Sequence, residues 1–222
     1  MSRIAINDSV HIDLGRATLE GDLEMPARAT GLVIFAHGSG SSRFSRRNRA
    51  VAEALRRHGF GTLLLDLLTR QEEVEDERTS EYRFDIPLLG KRVIGAADWT
   101  RTRPDLAALP LAFFGASTGA AAALIAATAR PAMTHAVISR GGRPDLADEA
   151  LERVTAPTLF IVGGADGPVL ELNRYAMRRM RATVSLEIVR GATHLFEEPG
   201  ALDEASRLAA EWCHRWLRPD VA

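Results

Sequence analysis

A serine with a glycine two residues away on each side is the first feature of this sequence that could do chemistry. Residues 115–119 read Gly-Ala-Ser-Thr-Gly, between an apolar run at 109–114 and the small or helix-forming residues 120–129. This order predicts a strand, a tight turn with Ser117 at its apex, and a helix. The glycines leave room for a strained turn that exposes the Ser117 hydroxyl as a candidate nucleophile. The alternative is a glycine-rich turn with an incidental serine.

A candidate base follows Ser117 in the sequence. A serine hydroxyl is a weak nucleophile near neutral pH, so it needs a neighbouring base. Three histidines lie downstream, at positions 135, 194 and 214. His194 comes directly after the last predicted strand, whereas His135 begins a strand and His214 lies inside the C-terminal helix. We therefore predict His194 as the base; the alternative is a loop histidine without a role.

The base in turn needs an acid that orients it. Asp166 follows another predicted strand, in a tight glycine-flanked loop. Asp145 and Asp148, after the preceding strand, are its rivals. Asp166 could also be a plain helix N-cap, because a helix is predicted shortly after it. The glycine-flanked loop favours Asp166 as the acid.

Acyl transfer at a serine also requires hydrogen-bond donors for the developing oxyanion. The backbone N–H of Thr118, at the start of a helix, is one expected donor. The loop 37–42, His-Gly-Ser-Gly-Ser-Ser, should supply the second donor, from the N–H of Ser39 or alternatively Gly40. His37 precedes the nucleophile, so we expect it to brace this loop through backbone hydrogen bonds.

The hydrophobic pattern predicts the elements that position these residues. Two antiparallel edge strands fit residues 9–25, and apolar runs predict buried strands at 31–36, 62–68, 109–114, 135–139, 157–162 and 184–189. Helical spacing predicts helices at 46–58, from 87 (capped by Asp85) to about 102, 120–129, 171–180 and a C-terminal helix whose inner face carries Trp212 and Trp216. The alternation predicts an α/β fold with a mostly parallel sheet and helices on both faces. Ligands bind beyond the carboxyl ends of such strands.

Two connecting segments bear on the expected site. Residues 71–80 are strongly acidic and predict a solvated loop or short helix, or alternatively a mobile flap. Residues 140–156 leave room for one short helix, so we expect no sizeable cap. Six arginines follow two strand ends: Arg43, Arg46, Arg47, Arg49, Arg140 and Arg143. They could form a basic rim that favours carboxylate- or phosphate-bearing esters. The alternative is that they are solvated residues on loop and helix surfaces.

Composition excludes several classes of protein. The 222 residues carry 28 basic and 29 acidic side chains, a net charge of −1, which implies no nucleic-acid partner and no anionic membrane. Cys213 is the only cysteine, so no internal disulfide is possible. The first ten residues lack the apolar core of a signal peptide, and no window is apolar enough to span a membrane. We expect one soluble, cytoplasmic domain over residues 1–222; the sequence does not predict its oligomeric state.

Taken together, the loop 37–42, the 115–119 turn, Asp166 and His194 resemble the α/β-hydrolase superfamily. Within it, the loop with Arg43, the following Asn48-Arg49 and the later Arg83-Phe84-Asp85-Ile86 are similar to small bacterial proteins of the dienelactone hydrolase-like family. The resemblance implies an α/β-hydrolase fold over nearly the whole chain. Enzymes that cleave dienelactone use a cysteine nucleophile, whereas this sequence has Ser117, which speaks against dienelactone as the substrate.

The residues predict a serine hydrolase that needs neither cofactor nor metal and cleaves a small-molecule carboxylic ester through an acyl-Ser117 intermediate. A thioesterase, an acyltransferase or an amidase would use the same three side chains. A non-catalytic small-molecule-binding protein of the same fold is the alternative from another class, although a pure binder has no need of the complete set.

Overall fold

An eight-stranded sheet forms the centre of the computed structural model, which describes residues 4–217. Its strands are β1 (Ile4–Asp13), β2 (Thr18–Pro26), β3 (Leu32–Ala36), β4 (Gly61–Leu65), β5 (Leu111–Ala116), β6 (Thr134–Arg140), β7 (Thr158–Gly163) and β8 (Val184–Val189). The spatial order is β1-β2-β4-β3-β5-β6-β7-β8. The pairs β1–β2 and β2–β4 are antiparallel, and the other five pairs are parallel.

Helices cover both faces of the sheet. The α-helices of the described residues are α1 (Arg46–Arg57), α2 (Arg70–Thr79), α3 (Ile86–Thr102), α4 (Gly119–Ala129), α5 (Gly167–Arg179) and α6 (Ala201–Trp216). Helices α1 and α6 pack with each other over one buried cluster, and α3 and α4 pack over the other. Strands β3, β5 and β7 are buried along their whole length, which explains their continuous apolar runs. The predicted α/β-hydrolase fold is confirmed.

Local signals explain where several helices begin. Asp85 caps α3 by accepting a hydrogen bond from the N–H of Leu88 (2.9 Å), as predicted. Residues 71–80 are largely helical, because Thr69 and Glu72 form a reciprocal capping box at the start of α2. Helix α5 begins four residues before the predicted start at 171, because Pro168 sits in its first turn, where proline is favoured.

Short connections leave the carboxyl edge of the sheet open. Between β6 and β7 the chain forms two short 3-10 turns within Pro144–Arg153, separated by a kink at Asp148, and no sizeable cap, as predicted. Trp212 is buried, and Trp216 packs against the same cluster, so both belong to the core. Within residues 4–217, no helix combines the length and apolar character that crossing a membrane would need.

Candidate active site

Ser117 lies between β5 and α4 on a strained turn. Its φ is +50°, in the left-handed region that residues other than glycine rarely adopt. A Cβ at Gly115 would lie 2.6 Å from the backbone nitrogen of Ala120, and one at Gly119 would lie 2.5 Å from the carbonyl oxygen of His37. Both neighbours are backbone atoms that cannot rotate away. Close packing of strand against helix therefore requires glycine at both positions, and the turn presents Ser117 at the carboxyl edge of the sheet.

Asp166 and His194 meet beside this turn. They follow β7 and β8, and the Nδ1 of His194 lies 2.8 Å from the Oδ2 of Asp166. The two loops are held together by a hydrogen bond from the N–H of Ala165 to the carbonyl of Ala192 (2.9 Å). Asp166 occupies the N-cap position of α5, but its side chain makes no capping hydrogen bond there. Its carboxylate is directed to His194 instead, so the plain N-cap interpretation does not account for it.

Ser117 and His194 line one cavity of about 280 Å³. The Asp166 side chain is 12% exposed and that of His194 is 39% exposed, so the carboxylate is shielded while the imidazole reaches the cavity. Because Nδ1 faces Asp166, Nε2 is the nitrogen left to accept a proton. Within residues 4–217, the Ser117 hydroxyl makes no hydrogen bond to His194. Such contacts are often long without substrate and tighten when it binds.

The rival residues lie elsewhere. His135 is near the amino end of β6, at the opposite edge of the sheet, with its Nδ1 3.2 Å from the carbonyl of Met133. His214 lies in α6 next to His58, 3.2 Å between ring nitrogens. Among the acids, Asp145 pairs with Arg143 and Asp148 with Arg179. Asp166 alone among these three carboxylates hydrogen-bonds to His194 in the described part of the chain.

The expected oxyanion donors have different surroundings. The N–H of Thr118 stands at the amino end of α4 and has no hydrogen-bond acceptor within residues 4–217, so it is available to a ligand. The N–H of Ser39 instead donates to the Thr118 hydroxyl (2.9 Å). Gly38 holds this loop against the nucleophile, since a Cβ there would lie 2.9 Å from that of Ser117. Gly40 lies in the same loop with φ of +65°.

His37 braces the loop, as the sequence indicated. Its buried ring accepts a hydrogen bond at Nε2 from the N–H of Leu67 (3.0 Å), and its Nδ1 lies 2.9 Å from the carbonyl of Gly38. Since Nε2 is the acceptor, Nδ1 carries the proton and donates. Burial lowers the pKa of His37, which keeps the ring neutral at pH 7.

A second set of contacts, which the sequence did not predict, also supports the loop at 37–42. Asp76, in α2, is buried and accepts hydrogen bonds from the N–H groups of Tyr82 and Arg83 and from the Arg83 side chain (2.6 Å). The carbonyl of Arg83 in turn accepts a hydrogen bond from the Ser39 hydroxyl (3.2 Å). Asp76 therefore connects α2 to the loop beside Ser117, and both border a second cavity of about 630 Å³. In the sequence, Asp76 is one of several acids in a polar run, and nothing local distinguishes it.

The clustered arginines separate into paired, exposed and buried residues. Arg43 and Arg49 pair with acids on β2, Arg143 pairs with Asp145, and Arg46 is exposed. Arg47 and Arg140 line the cavity that holds Ser117. The basic rim is therefore smaller than the sequence pattern indicated, because three of the six arginines pair with neighbouring carboxylates and Arg47 pairs with the mostly exposed Glu197.

Comparison with known proteins agrees with the fold. The crystal structure of a dienelactone hydrolase from Anabaena variabilis is 52% identical, covers 96% of this chain and 99% of its own, and superposes with a TM-score of 0.94. A lidless α/β serine hydrolase from Xanthomonas campestris is 20% identical with a TM-score of 0.74, over 96% of each chain, which supports the fold alone.

A protein of Mycobacterium tuberculosis named as a putative phosphoribosyl transferase is 52% identical over 206 residues, 93% of this chain. The match covers 46% of that protein, so the chain spans about half the length of the curated relatives it matches. Its name therefore describes a longer protein. A sequence profile of the Dienelactone hydrolase family matches residues 19–218. This chain belongs to the dienelactone hydrolase family.

Proposed function

We propose that this chain is a serine hydrolase that cleaves a small-molecule carboxylic ester through an acyl-Ser117 intermediate. One arrangement carries the proposal: Ser117 on a left-handed turn shares a cavity with His194, whose other ring nitrogen lies 2.8 Å from Asp166. Each member follows a different parallel strand, so the carboxyl edge of the sheet brings them together although they are distant in sequence.

Each side chain has a separate role in the proposed reaction. The Nε2 of His194 takes the proton of Ser117 as the hydroxyl attacks the ester carbonyl, and then gives it to the leaving alcohol. Asp166 accepts a hydrogen bond from the Nδ1–H of His194, so the proton stays on Nδ1 and the lone pair on Nε2. In the second half, the Nε2 of His194 takes a proton from water as the water oxygen attacks the acyl carbonyl. It then gives this proton to the Ser117 oxygen as the acyl–serine bond breaks and the carboxylic acid leaves.

Backbone amides would stabilise the tetrahedral intermediate. The free N–H of Thr118 at the amino end of α4 suits this role, because the helix dipole favours negative charge there. The N–H of Ser39 would have to exchange the Thr118 hydroxyl for the oxyanion, whereas Gly40 is the alternative donor. Losing one such donor reduces the rate by about 10²–10³-fold in related chemistry.

Labelling with a fluorophosphonate tests the proposal. We expect one stoichiometric adduct, mapped by mass spectrometry to Ser117, and no adduct in Ser117→Ala. Ser9→Ala, which removes an exposed serine on β1, is the matched control and should label like the wild type. If the folded wild-type protein takes no label at Ser117, the chain is not a serine hydrolase and the non-catalytic binding protein becomes the better interpretation.

A second measurement identifies the type of bond that the protein cleaves. An ester, a thioester and an amide with the same acetyl group would be compared by kcat/KM, with and without an added alcohol as acceptor. We expect the ester to be the best substrate and water to be the acceptor. A thioester or amide preferred by tenfold, or transfer to the alcohol, would instead assign the thioesterase, amidase or acyltransferase that the same side chains could serve.

A further inference from the structure

Arg140 differs from the other arginines near the site. It ends β6 and is only 7% exposed, yet no carboxylate pairs with it in the described part of the chain. Its Nη2 donates to the Oδ1 of Asn48 (3.2 Å), while its Nε and Nη1 are buried without an acceptor. A buried charge without a counterion is unfavourable unless something else compensates it.

The charged neighbour of Arg140 adds to its positive charge, and the Phe196 ring, 5.8 Å from the guanidinium carbon, gives only a weak cation–π contact. Burial, together with the neighbouring charge of Arg47, lowers the pKa of Arg140 to about 10, so the guanidinium is still protonated at pH 7. Arg47 itself forms a salt bridge with Glu197 (3.2 Å), whose side chain is mostly exposed. The local field therefore attracts an anion.

This charge lies beside the nucleophile. Arg140 is opposite Ala116 in the parallel pair β5–β6, and its carbonyl accepts a hydrogen bond from the N–H of Ser117 (3.4 Å). Arg140, Arg47 and Asn48 line the 280 Å³ cavity together with Ser117. A ligand group held here would be part of a substrate whose ester lies at Ser117.

The remaining wall of the cavity supplies donors suited to several oxygens. Ser41 and Ser45 line it, and Ser45 is the N-cap of the twelve-residue helix α1. The Oγ of Ser45 accepts from the N–H of Asn48 (3.4 Å), so its own proton is free to donate. Unpaired N–H groups in the first turn of a helix favour phosphate. Two guanidiniums, hydroxyl groups and a helix amino end suit a dianion with three oxygens better than a carboxylate.

We propose that Arg140, with Arg47 and the amino end of α1, forms a phosphate subsite that selects esters carrying a phosphate group. This inference rests on the proposed ester hydrolysis at Ser117 for its position in the substrate. Phosphate supplies the counterion that Arg140 lacks, and it places the ester carbonyl in the cavity next to Ser117.

Three esters with a common p-nitrophenyl leaving group test the subsite: 3-phosphonopropionate, hemisuccinate and the neutral methyl succinate. We expect kcat/KM to fall in that order. In Arg140→Met, which keeps an unbranched apolar stem without the charge, the ratio of phosphonate to methyl succinate should fall by about 10–100-fold, the range of a charge-assisted hydrogen bond. Arg57→Gln removes the same charge from an exposed position in the last turn of α1, at the far end from the subsite, and should leave the ratio unchanged.

Several results would overturn the subsite. A hemisuccinate preferred over the phosphonate would assign a carboxylate group instead. Equal losses on all three esters in Arg140→Met, with a lower Tm, would make Arg140 a structural residue, whereas a functional buried charge predicts an equal or higher Tm in this variant. An unchanged ratio in a folded variant would also refute it.

Binding of inorganic phosphate separates this inference from the proposed function. We expect phosphate to raise the Tm of the wild type and of Ser117→Ala, but not that of Arg140→Met. If no ester is cleaved yet phosphate binds through Arg140, the hydrolase proposal fails and the subsite stands. If esters are cleaved at Ser117 and phosphate neither stabilises nor inhibits competitively, the subsite fails alone.

Discussion

Replacing Asp166 by asparagine is the sharpest test of the proposed roles, because it changes the charge and leaves the shape. The Oδ2 of Asp166 lies 2.8 Å from the Nδ1 of His194. In Asp166→Asn, the amide can donate to Nδ1, which moves the imidazole proton to Nε2. His194 then has no lone pair to accept the proton of Ser117.

The expected loss follows from this tautomer and from the burial of the pair. The same change in another serine triad lowers kcat by about 10⁴-fold, or about 5 kcal/mol in the barrier. The Asp166 side chain is 12% exposed, so water cannot readily replace the carboxylate. The His194 side chain is 39% exposed, which lets some rings adopt the productive tautomer. We therefore expect kcat to fall by about 10³–10⁴-fold.

Hydrolysis of p-nitrophenyl acetate under saturating substrate measures this loss, with circular dichroism as a check on folding. Asp145→Asn and Asp148→Asn are matched controls, because both follow β6 and pair with arginines instead of His194. Each should keep kcat within about twofold. A folded Asp166→Asn that kept more than a tenth of the activity, or an equal loss in either control, would refute the assignment of the acid.

Three further predictions concern stability and reactivity. Gly119→Ala should lower the free energy of unfolding, measured in urea, by about 3 kcal/mol, because the added Cβ would collide with backbone oxygens. Gly167→Ala is the control: no atom lies within 4 Å of its added Cβ, so it should be neutral or slightly stabilising. Equal effects of the two substitutions would contradict the packing argument. Burial acts to raise the pKa of Asp76, but hydrogen bonds from Arg83 and Tyr82 outweigh it and hold the pKa below its usual value. Because the folded-state pKa is the lower one, this stabilisation is present at neutral pH and is lost as the pH falls below about 4. Asp76→Asn should therefore lose about 2–3 kcal/mol at pH 7 and show a flatter pH dependence of unfolding; a wild-type slope in the variant would exclude this contribution. Burial raises the pKa of the Cys213 thiol, so iodoacetamide should neither modify native protein nor reduce esterase activity, and rapid modification before unfolding would contradict the burial.

Most elements were predictable because their signals are local. The apolar runs of β3, β5 and β7 reflect burial on both faces, and Asp85 marks the start of α3 because its side chain caps the first turn. The errors are at boundaries. Strand β4 ends at Leu65 instead of residue 68, and α5 starts earlier than its apolar spacing indicated. Apolar residues continue past a strand end when the following loop is also buried, as Leu67 and Leu68 are.

The candidate site was only partly predictable. The expected hydrogen bond between Asp166 and His194 is present, because chain order and strand ends restrict which side chains can meet at one edge of a sheet. Their catalytic roles, like that of Ser117, stay predictions. The amide of Ser39, 79 residues from Thr118, is bound to that residue's hydroxyl, and no local pattern could have indicated this contact.

The sequence by itself determined the turn at Ser117, because the steric requirement for the two flanking glycines is local. It also determined that an acid and then a base follow strand ends, because the apolar pattern of each strand extends over only a few residues. Only the tertiary structure decided which charges are compensated. Arg43 and Arg140 look alike in the sequence, yet Arg43 pairs with Asp66 and Arg140 has no carboxylate among the described residues. Charge compensation depends on which side chains packing brings within a few ångströms, and these are far apart in the chain.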